Sequence, residues 1–112
     1  MSPSESGDAV EIALVTAPDP ETGERIARAL VEERLAACVN LVPGLRSIYR
    51  WEGAVQSDAE VLLVVKTRTD RARALEERVL ALHPYDVPEV LRIAPRGGSE
   101  SYLRWVREEC AP

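Results

Sequence analysis

Apolar positions along this chain alternate between two grains, short β-branched runs and longer stretches in which every third or fourth residue is apolar. Val10 to Pro18, VEIALVTAP, is an aliphatic run that stops at proline, as a strand buried on both faces does. Beyond it the period changes. Asp19 offers an N-cap, Pro20 suits the first helical position, and Glu21 and Glu24 bring negative charge to the positive end of the dipole. Ile26, Ala27, Leu30, Val31 and Arg34 then recur at helical spacing, with Arg25, Arg28, Glu32 and Glu33 on other faces. This predicts an amphipathic helix lying on a sheet.

From Cys38 to Trp51 the pattern is strand-like again, interrupted at Pro43-Gly44, where a proline suits an edge strand or a bulge. Glu52-Gly53 supplies a hairpin turn, and Val61 to Thr67, VLLVVKT, is the most β-like segment of the chain. The hairpin arms run roughly 14 and 16 residues, against the usual ~5–6 for a strand, so the hairpin is expected to overhang its own core. A second cap is expected at Thr69 or Asp70, followed by Ala72, Leu75, Val79 and Leu82 at helical spacing, with Pro84 closing the helix at His83. Val87 to Pro95 reads as a fourth strand, and Ser99 as the cap of a last helix carrying Tyr102, Leu103, Trp105 and Val106.

The strand–helix joints at Thr16–Asp19 and Thr67–Asp70 echo one another and divide the chain into two β-α-β halves. The order β-α-β-β-α-β plus a C-terminal helix predicts an α+β, ferredoxin-like sandwich, a four-stranded antiparallel sheet with two helices on one face. A Rossmann-type sheet would need a helix where the Glu52-Gly53 hairpin stands. In the ferredoxin-like order the long second strand is an edge with little blunting charge, and its tip carries Tyr49 and Trp51. Such an edge invites pairing with another chain, which points to a homo-oligomer built through the hairpin.

Composition narrows the function. The 112 residues suffice for one domain, expected over residues 9–112 behind a polar, disordered tail at 1–8. That tail has neither the positive start nor the apolar run of a signal peptide, and no segment has the ~20 apolar residues of a membrane helix. A net charge of −5 lacks the basic footprint of a nucleic-acid binder. Cys38 and Cys110 fit no disulfide framework, consistent with a cytoplasmic protein, and there is no CxxC or HExxH zinc pattern. With no Ser/His/Asp order and one histidine, an enzymatic reaction has little support.

Three residues invite chemistry. His83, at a helix exit, can bond free carbonyls or serve as a metal ligand. Cys38 is either a small buried apolar group or a soft ligand. Lys66 is the only lysine among 14 basic residues and ends the most apolar strand, which suggests a place where a compact ammonium is needed. Glu60, Glu89, Tyr85 and Trp51 are the groups expected to share a cleft with it. An ammonium beside aromatic walls would suit a small anionic ligand or a protein partner.

The motifs TAPD (Thr16–Asp19), RLAACVN (Arg34–Asn40), SIYRWEG (Ser47–Gly53), VKT (Val65–Thr67) and HPYDVPE (His83–Glu89), in that order, resemble the CutA divalent-cation-tolerance family from about Val10 to Val106. The resemblance implies a ferredoxin-like subunit in a trimer similar in architecture to the PII signalling proteins. It also implies a role in tolerance of Cu²⁺ and other divalent metals, with inter-subunit clefts at Cys38, Trp51, Lys66, His83, Tyr85 and Glu89. Some members have a cysteine before TAP and a second histidine before PY, where this chain has Val15 and Leu82. His83 alone cannot hold copper tightly, so His83 with Cys38 and Glu89 is the expected weak metal set, helped by Glu60 or a neighbouring subunit.

Overall fold

In the computed structural model, which describes residues 7–112, the chain runs β1 (Val10–Ala17), α1 (Pro20–Glu32), β2 (Cys38–Trp51), β3 (Ala54–Arg68), α2 (Thr69–Leu82), β4 (Leu91–Ile93) and α3 (Glu100–Glu109). The four strands form one antiparallel sheet in the order β2-β3-β1-β4. This is the ferredoxin-like arrangement expected. Of the stretch 1–8, residues 1–6 lie outside the described residues. Gly7 and Asp8 form a turn in which the Gly7 carbonyl accepts from the Asp70 N–H at 2.8 Å.

The helical period of α1 sets Ile26, Ala27 and Leu30 against one face of the sheet, where they meet Val15, Leu63 and Val65. Strand alternation supplies that face: Ala13, Val15 and Ala17 of β1 stand opposite Val65, Leu63 and Val61 of β3. Ala72, Leu75 and Val79 of α2 are fully buried, and each large aliphatic group so removed from water contributes about 1.5–3 kcal/mol. Asp19 caps α1 as expected, accepting the Thr22 N–H at 2.7 Å. That bond holds the Asp19 carboxyl below its usual range.

The second cap differs from expectation. Arg68, whose side chain makes no capping bond, precedes α2, and Asp70 instead accepts from Arg68 Nε and Nη2 at 3.0 and 2.7 Å. The fourth strand is also shorter than Val87 to Pro95. Only Leu91–Ile93 pair with β1, because Pro88 has no N–H to give a ladder and the segment before Leu91 leaves the sheet edge.

The hairpin overhangs the core as expected, drawing the molecule out to 46 × 25 × 23 Å. Its radius of gyration is 14.6 Å, where a compact chain of this size has about 13 Å. At its end Glu52 and Gly53 both have positive φ, 49° and 80°, the conformation a tight two-residue turn between twisted strands requires. Near its base a bulge sits between Val42 and Leu45, with Gly44 at φ 78°. On the helix-free face of the sheet Val42, Leu91 and Ile93 remain exposed. α3 packs Val106 and Cys110 against Val10 and Ala37 at the sheet's end.

Because nothing lies within 4 Å of a Cβ added at Gly44, replacing it tests the backbone alone. Gly44→Ala should lose about 1–2 kcal/mol, read as a lower urea midpoint with unchanged slope. An unchanged midpoint would mean that the bulge does not need the left-handed conformation.

Candidate functional site

Two residues of β2, Pro43 and Gly44, face the single Val61 of β3, and this changes which side chains share a face. Val42 pairs with Leu62, but beyond the bulge Leu45 pairs with Glu60, Ser47 with Asp58, Tyr49 with Gln56 and Trp51 with Ala54. Odd-numbered residues of the β2 tip therefore join the helix-free face on which Glu60 stands, and Arg46 and Arg50 turn to the other. A cleft of about 700 Å³ results, lined by Thr16, Ser47, Ile48, Tyr49, Trp51, Glu60 and the segment Pro84–Glu89 through Pro84, Tyr85, Asp86, Val87 and Glu89.

His83 fastens that segment. Since β4 pairs with β1 only as far as Leu14, the Thr16 carbonyl has no strand to bond, and the His83 imidazole takes the place of one. Its Nε2 lies 2.7 Å from the Thr16 oxygen, and its Nδ1 accepts the Tyr85 N–H at 3.1 Å. A carbonyl can only accept, so Nε2 carries the proton and both ring nitrogens are engaged. The side chain is 7% exposed and its ring lies 4.7 Å from that of Tyr85. Of the two roles open to His83 at the helix exit, the ring takes the first, bonding a free carbonyl, and it does so buried. With no lone pair free, His83 in this geometry orients Tyr85 and the cleft segment and does not offer itself to a metal.

The Tyr85 hydroxyl crosses the cleft to donate to Glu60 Oε2 at 3.0 Å. Burial first, and this bond second, push the phenol up to about 12. Tyr49 similarly donates to Asp58, a bond that raises its phenol. Glu60 is buried, whereas Asp86 and Glu89 are exposed at the rim. Among the described residues no Lys, Arg or His forms an ion pair with any of the three.

The other expected residues lie elsewhere. Lys66 and Cys38 face each other across β3 and β2, with Lys66 Nζ bonded to Asn40 and 4.0 Å from the free thiol of Cys38. Tyr102 of α3 stands beside Cys38, and its phenol is raised, mainly by burial. Lys66 lies six positions along one strand from Glu60, or about 20 Å. Thus Glu60, Tyr85, Trp51 and Glu89 line one cleft, but without Lys66. No group of three or more His, Cys, Asp or Glu able to hold a metal occurs among the described residues. The Cu²⁺ set of His83, Cys38 and Glu89 is not assembled within one protomer. Ser47 and Asp86 were not singled out from the sequence, and Tyr49 only as an exposed residue of the hairpin tip; the bulge parity is the signal that places Ser47 and Tyr49 in the cleft.

The chain resembles known proteins along most of its length. Residues 11–109 match the family described as CutA1 divalent ion tolerance protein. Over 98 residues the chain is 57% identical to the "Divalent-cation tolerance protein CutA" of Thermus thermophilus, covering 88% of this chain and 95% of that protein. "Protein CutA, chloroplastic" of Arabidopsis thaliana is 51% identical over 96 residues, which are 86% of this chain and 53% of that protein. The chain thus spans nearly all of the bacterial relative and about half of the plant one. The solved structure of the divalent cation tolerance protein of Thermus thermophilus superposes with a TM-score of 0.87 at 56% identity, over 89% of this chain and 97% of that one. No helix among the described residues is long and apolar enough to cross a membrane.

Two outcomes test the cleft. In His83→Ala the Thr16 carbonyl loses its partner, at a cost of about 1–3 kcal/mol, and the Tyr85 amide should lose protection in hydrogen exchange. A protected Tyr85 amide would show that something else holds the segment. Because the folded Tyr85 phenol lies above its unfolded value, its contribution is full below about pH 10 and fades as pH rises through about 12. Tyr85→Phe should therefore flatten the alkaline loss of stability, measured by urea melts between those values. The same slope in both proteins would separate Tyr85 from that loss.

Proposed function

The chain belongs to the CutA1 divalent ion tolerance family, and from that membership we propose a non-enzymatic cytoplasmic homotrimer that contacts divalent cations weakly, Cu²⁺ among them, where subunits meet. The observation that carries this reading is the division of donors. Carboxylates collect in the cleft at Glu60, Asp86 and Glu89, while the free thiol of Cys38 stands at the far end of the same sheet face. One chain cannot bring the two together, but a second copy laid across the exposed apolar positions Val42, Leu91 and Ile93 can. Both ends of the hairpin edge then serve one boundary. Copper takes several nitrogen, oxygen or sulfur donors, so a thiol and carboxylates from two subunits make a loose, exchangeable site.

The roles then follow from position. Glu89 is the rim contact, Cys38 the soft donor from the neighbour, and His83 the residue that holds Tyr85 and the cleft segment in place. Two free cysteines suit a reducing cytoplasm. A small-anion site draws less support, because the cleft is lined by carboxylates and Lys66 lies outside it.

Light scattering should give three times the 12.4 kDa chain mass. Calorimetric titration of that metal-free species with Cu²⁺ should then show weaker binding in Glu89→Gln and in Cys38→Ser. A monomeric mass, or identical isotherms in all three proteins, would remove the shared site.

A further inference from the structure

We draw no further inference here: the strongest candidate, the side-chain cluster of Arg34, Arg68 and Arg71 where α1 and α3 end and α2 begins, donates to the backbone carbonyls of Glu33, Arg34, Arg107 and Glu108 and to the Asp70 carboxylate, which accounts for it as the closing of those helix ends.

Discussion

The parity of the long hairpin is the constraint on which the site depends. Side chains alternate along a strand, so an extra residue in one arm moves every side chain beyond it to the opposite face. In this chain Pro43 and Gly44 face Val61 alone, and Ser47, Tyr49 and Trp51 come to lie on the same face as Glu60. Without the bulge Arg46 and Arg50 would occupy that face instead. Gly44 makes the kink feasible because a left-handed φ of 78° carries no Cβ penalty for glycine.

The second dependency is a hydrogen bond that a strand would otherwise have made. β4 is three residues long, so β1 has an unpaired carbonyl at Thr16, and burying it unbonded would be costly. His83 meets that need from the exit of α2, and its other nitrogen receives the Tyr85 amide. Tyr85 in turn reaches Glu60. One chain of bonds thus runs from sheet edge through helix terminus to cleft wall. The imidazole that most invites a metal reading is absorbed in building the cleft.

The fold was legible in the sequence because each element carried its own period and punctuation. Asp19-Pro20 announces α1, Glu52-Gly53 the turn, and Pro84 the end of α2, all through local backbone sterics that need no tertiary partner. Legibility failed where local preference was overruled. Asp70 had the chemistry of a cap but was taken by Arg68, and Val87–Val90 had β character but lacked an N–H at Pro88 and left the sheet. The site was half legible. Glu60, Tyr85, Trp51 and Glu89 do line one cleft, while Lys66 was added to them although the strand carries it about 20 Å away.

By itself the sequence determined the element order, the overhanging hairpin and the family, since hydrophobic period, turn residues and motif order are properties of the chain read along its length. Which donors meet was decided only in three dimensions. Register across β2 and β3 separates Cys38 and Lys66 from the cleft, and a missing pair on β1 turns His83 inward. A side chain's partner depends on strand pairing and on which backbone groups are left unbonded, and neither is a local property of the residue.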